Sequence, residues 1–132
     1  MSSRSFRIAN RIMALLFLTS AAIQFNDPDP LRWIAIYGAA GLACIAAERS
    51  SGLWPLSAGV GLAALVWAVR LSPILPEVRF ADLARTMHAE TPTIELGREI
   101  LGLLIVLAWM FTVAIASIRQ RAPRPNRDEP GA

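Results

Sequence analysis

The sequence predicts an all-α membrane protein, a four-transmembrane-helix antiparallel bundle with a short amphipathic helix in its third loop. Three observations lead there. The 132-residue chain is 55% hydrophobic and 17% charged, whereas a soluble domain carries about 25% charged residues, and its mean hydropathy is +0.46. Its apolar residues fall in four runs, each near the ~20 helical residues that cross a bilayer core of ~30 Å. Lipid offers the backbone no hydrogen-bond partners, so these spans are helices. The same figures exclude intrinsic disorder outside the C-terminus, and the length excludes several soluble domains.

The first span is expected over about residues 8–25, its strongly apolar part starting at Ile12. Arg4, Arg7 and Arg11, followed by apolar residues and then Ser20 and Ala22, also fit a secretory signal peptide. Cleavage after Ala22 would leave three spans. The apolar stretch continues through Ile23 and Phe25, which favours a retained helix. A short connection, Asn26-Asp27-Pro28-Asp29-Pro30, leads into a second span over 31–47. Asp29 is placed to cap that helix and Pro30 suits its first position. The third span covers 55–71 and the fourth 98–118, where Ile100 to Ile118 are nineteen residues without a charge. Small residues recur four apart at Ala35, Ala39, Ala43 and Ala47, at Ser57 and Gly61, and at Gly59 and Ala63. Such stripes let helices approach closely, within one bundle or in a homodimer.

The third loop is too long for a turn. Phe80, Leu83, Ala84 and Met87 recur there at helical spacing, bounded by Pro73, Pro76 and Pro92. An amphipathic helix over about 77–89 is expected, lying on the membrane surface or capping the bundle. Residues 1–118 thus form one membrane domain, and 119–132 an Arg/Pro-rich, disordered cytoplasmic tail.

All thirteen basic residues are arginine, which suggests a GC-rich, bacterial genome, and the net charge is +3. They flank apolar runs instead of forming a stripe with aromatics, so nucleic acid is excluded as a partner. With four spans, eight arginines lie on the side of the termini, and five arginines with seven acids on the other. That bias puts both termini in the cytoplasm, in a bacterial inner (plasma) membrane. The lone Cys44 forms no intrachain disulfide and reads as a packing residue. Glu48, at the inner end of span two, is not the mid-membrane carboxylate of proton-coupled exporters.

The outer loops carry the polar residues. Gln24, Asn26, Asp27 and Asp29 sit where lipid begins, a depth at which polar groups face the bundle or a water-filled cavity. Trp33 and Tyr37 follow on one helical face. Trp33 fits an aromatic interface belt, whereas Tyr37 lies two turns inside and its hydroxyl needs a partner. Glu95, Arg98, Glu99 and Gly102 share a face at the entry of the last span, where Gly102 admits a close neighbour. This entry also reads as a simple dipole-matched helix start. The alternative is that its face meets the first loop, with Arg98 paired to a carboxylate there and Arg70 a second candidate partner for Glu99. His88 and Glu90 with the nearby acids lack a recognisable metal spacing, and no nucleophile elbow is present. No catalytic residue, metal or cofactor is therefore assigned.

The stretch Gln24-Phe25-Asn26-Asp27-Pro28-Asp29 with Trp33 and Tyr37 resembles the signature of the transmembrane protein 220 family. So does Glu95-Leu96-Gly97-Arg98-Glu99 with Leu101, Gly102 and Leu103, and, less specifically, Trp67-Ala68. The resemblance covers about residues 10–118. It implies a multi-spanning membrane protein and marks Asn26, Asp27, Asp29, Trp33, Tyr37, Arg98 and Glu99 as its motif, without supplying an activity. Three functions fit the residues. One is a binding or interaction protein with a polar cluster at the outer membrane face. Another is an accessory subunit of a larger membrane complex. The third is a membrane enzyme or transporter using the acidic cluster. The expected partners are the lipid bilayer and, beyond it, a partner membrane subunit or a homodimer, a lone monomer or homodimer counting against the accessory-subunit reading.

Overall fold

The computed structural model describes residues 3–27, 29–71 and 92–123, with the backbone alone for 92–96. The amphipathic helix expected over 77–89, His88 and the tail from residue 124 lie outside the described residues. Ser3 opens the first helix: its hydroxyl accepts from the Phe6 N–H at 3.1 Å, satisfying one of the donors that a helix start leaves unpaired. From there α1 runs Arg4–Ile23. It begins one turn before the apolar pattern does, because the cap and not hydropathy sets its start. A 3-10 turn, Gln24–Asn26, ends it.

The second helix, α2, is Pro30–Arg49. Asp29 occupies its cap position, but its side chain makes no cap bond. The carboxylate lies instead 3.4 Å from Arg32 Nε, one turn on in the same helix. A second 3-10 turn, Ser51–Leu53, leads into α3, Trp54–Leu71. The last helix, α4, is Pro92–Arg121. It starts well ahead of residue 98 because Pro92 needs no N–H partner in a first turn. It also continues through Arg119–Arg121, which the sequence assigned to a disordered tail. Two arginines in the last turn complement the helix dipole, and Pro123 follows.

All four helices are long and apolar enough to cross a membrane. They form two close antiparallel pairs, α1 with α2 and α3 with α4, and α2 joins the pairs by touching both α3 and α4. The centre is built from small and flexible side chains: Ala40, Ala43, Cys44, Ala64, Leu103, Val106 and Met110 are inaccessible. The outside is as apolar as the inside. Ile12, Leu15, Leu16, Leu62, Val69 and Ile105 are each more than half exposed. Such a surface is stable only against lipid, and the chain is a multi-pass membrane protein.

Association of helices in lipid relies on close packing, since the hydrocarbon outside is as favourable as the neighbouring helix. Glycines supply that closeness. A Cβ at Gly41 of α2 would lie 2.7 Å from Leu18 of α1, and one at Gly61 of α3 would lie 3.2 Å from the Met110 Cβ of α4. Gly38 and Gly59 face open space. The small-residue stripes therefore divide. Ala43 and Ala47, with Ser57 and Gly61, turn into the bundle, while Ala35, Gly59 and Ala63 turn outward.

The two faces of α3 should respond differently to substitution. Gly61→Val overpacks the α3–α4 contact and lowers stability by about 1–3 kcal/mol. Gly59→Ala meets nothing and gains helix propensity of about 0.5–1 kcal/mol. Thermal unfolding of the two variants in one detergent measures both signs.

Candidate functional site

The outer rim is where α1 ends, α2 begins and α4 enters the bundle. Gln24, in the 3-10 turn after α1, is half-buried, and Asp27 is exposed. Trp33 and Tyr37 lie on successive turns of α2, with ring centroids 6.0 Å apart. Arg98 and Glu99 lie in the early turns of α4. These six side chains line one pocket of about 330 Å³. Arg98 and Glu99 are both engaged in interactions. Glu99 is near enough to act electrostatically on the Tyr37 hydroxyl.

Gly102 makes this approach feasible. Any side chain there would collide with the Tyr37 hydroxyl, so α2 and α4 meet through a phenol seated against bare backbone. Trp33 is buried at 7% exposure and does not belong to an interface belt. Its ring stacks on Trp67 of α3 with centroids 4.6 Å apart. The belt expectation fails because a packed partner on α3 holds the indole inside the bundle.

The remaining sequence candidates lie apart. Asn26 and Asp29 are exposed and do not line the pocket, and Asp29 is turned to Arg32. Arg70 lines a different depression with Arg32, on the far side of the Trp33–Trp67 pair. It is therefore not placed as a partner for Glu99 across the polar pocket. The Glu95 side chain lies outside the described ones. Among described residues, no group of three His, Cys, Asp or Glu could hold a metal.

A second polar assembly sits at the opposite end, and the sequence reading missed it. Asn10 of α1 is 1% exposed. Its amide donates to the Cys44 carbonyl at 2.9 Å and to Glu48 at 3.4 Å, and its oxygen accepts from the Trp109 indole at 3.3 Å. Arg11 pairs with Glu48 at 3.0 Å, and Phe6 stacks on Trp109. One asparagine thus ties α1 to both α2 and α4. The available signal was weak: an amide between Arg7 and Arg11 at the start of the first span, a depth at which a polar group can face the protein interior.

Two substitution series test these contacts. Gly102→Ala destabilises the protein by about 1–3 kcal/mol through overpacking. Adding Tyr37→Phe restores much of the loss, because without the hydroxyl the nearest ring carbon is 3.5 Å from the new methyl. The coupling is read from a double-mutant cycle of thermal stabilities. At the other end, Asn10→Leu strands the Trp109 N–H, at about 1–3 kcal/mol for a buried unsatisfied group. Glu48→Gln costs no more than about 1 kcal/mol, since the Arg11 partner is 68% exposed.

Residues 16–115 match the family described as "Transmembrane family 220, helix". Over 113 residues the chain is 33% identical to Transmembrane protein 220 of Xenopus laevis, a similarity that takes in 81% of this chain and 57% of the frog protein. The chain thus spans a little over half the length of that relative. No solved structure matches it. With most of the bundle core and both halves of the polar pocket inside residues 16–115, the chain belongs to the transmembrane 220 family.

Proposed function

We propose that this protein is a membrane-embedded binding protein whose rim pocket takes a small polar molecule bearing a cationic group. The observation that carries this reading is the pocket of about 330 Å³ lined by Gln24, Asp27, Trp33, Tyr37, Arg98 and Glu99. Its volume lies at the small end of the roughly 300–1,000 Å³ range of ligand sites, enough for a molecule of amino-acid size. Two carboxylates face one guanidinium, so the lining carries an excess of negative charge. Trp33 and Tyr37 add aromatic faces, which attract cations through the ring quadrupole. Gln24 offers both a donor and an acceptor for orientation.

Two further placements belong to the same proposal. The arginine bias of eight against five supports termini in the cytoplasm and a pocket that opens on the opposite side. The all-arginine cation content supports a bacterial inner membrane.

The experiment is thermal unfolding of the detergent-purified chain against a panel of small amines, zwitterions and carboxylic acids. A ligand at 100 times its Kd stabilises by about 2.7 kcal/mol. Amines or zwitterions should raise the unfolding temperature of the wild type, and Asp27→Asn or Glu99→Gln should weaken that protection, each measured against the variant's own unliganded midpoint. A panel without effect on the wild type, or protection that survives in both variants, overturns the reading.

A further inference from the structure

A second depression among the described residues lies away from the polar pocket. It is a groove of about 1020 Å³ between α2 and α3, lined by residues that include Arg32, Ala35, Gly59, Ala63, Trp67 and Arg70. We infer that it is a binding site for one anionic phospholipid, with an acyl chain along the groove and the phosphate between Arg32 and Arg70. The inference does not depend on the polar pocket's being a ligand site.

Its dimensions fit one leaflet. On α3 the lining extends from Gly59 to Leu71, about 18 Å at the helical rise of ~1.5 Å per residue, and half of a ~30 Å core is about 15 Å. The floor is apolar and made hollow by what is missing: a Cβ at Gly59 would meet nothing within 4 Å, and Ala35 and Ala63 are exposed. Both cations sit at the same end, since Arg32 opens α2 and Arg70 closes antiparallel α3. That end is the membrane rim, the depth of a lipid phosphate. Guanidinium groups match phosphate oxygens in bidentate geometry, and basic pockets between transmembrane helices hold anionic headgroups. Arg32 is shared with Asp29 at 3.4 Å, but both side chains are more than 60% exposed, and such a pair yields readily to a better acceptor. Arg70 makes no ion pair among the described residues, so it supplies the larger part of the headgroup selectivity. A second copy of the chain would fill the apolar floor, but it would leave two like charges at the mouth unanswered.

The test counts lipids. The full chain in a mild nonionic detergent is incubated with phosphatidylglycerol or with phosphatidylcholine of the same acyl chains, and retained lipid is measured by native mass spectrometry. The wild type should prefer phosphatidylglycerol. Each arginine near the surface contributes about fivefold, so Arg32→Gln with Arg70→Gln should reduce the preference by about thirtyfold, with Arg70→Gln the larger single effect. Gly59→Leu with Ala63→Leu fills the groove from a face that has room and should lower retention of both lipids. Thermal unfolding checks that each variant is folded. Equal retention of the two lipids by the wild type, a preference that survives loss of both arginines, or retention indifferent to groove filling overturns the proposal. A dimer that falls apart on groove filling also overturns it, by making a second copy the occupant.

Discussion

Everything in this bundle depends on how closely its helices approach. In water a helix pair is driven together by the removal of apolar surface, but in hydrocarbon that drive vanishes and packing must supply the attraction. Three glycines provide it at three of the helix contacts. Gly41 receives Leu18 between α1 and α2, Gly61 receives Met110 between α3 and α4, and Gly102 receives Tyr37 between α2 and α4. Where the glycine is absent from the interface, as at Gly59, the helix surface opens into a groove. The same residue type thus builds the core on one face of α3 and hollows the surface on the other. What decides between these outcomes is the neighbouring helix.

Polar groups are sorted to the two ends. At the end near the termini Asn10 is sealed, with its amide shared among Cys44, Glu48 and Trp109. A buried amide that satisfies its partners fixes the rotation of α1 against its neighbours, because any turn about the axis strands several groups at once. At the opposite end the polar residues surround open volume instead. The contrast is informative. The side chains around Asn10 close on one another, whereas those at the far rim line a cavity of about 330 Å³.

Much of this was legible in the sequence. Long apolar runs revealed four helices, and the spacing of Glu95, Arg98, Glu99 and Gly102 put a polar face and a close approach on the same side of the last one. Other features were not legible, for physical reasons. Start positions follow caps such as Ser3, which hydropathy does not register. The end of α4 follows the propensity of Arg119–Arg121, which composition read as tail. Asn10 lay in an arginine-rich segment that suggested a membrane flank, and only the arrival of Trp109 from the last helix makes it interior. Trp33 fitted the water interface by its depth alone, and its true environment is set by Trp67, thirty-four residues away in sequence. Depth and periodicity determine which face of a helix is apolar. They do not determine which neighbour that face meets.

That tryptophan pair has a structural role beyond its own contact. Trp33 lines the polar pocket and Trp67 lines the apolar groove, so the two stacked indoles form the wall between them. A wall of two large aromatic rings buries much apolar area, and Trp33 within it is only 7% exposed. Displacing either ring changes the shape of both cavities. The pocket and the groove are therefore adjacent cavities that share one wall. A perturbation of the indole pair reports on neither one alone, whereas residues at the far edges, Asp27 for the pocket and Arg70 for the groove, report on each separately.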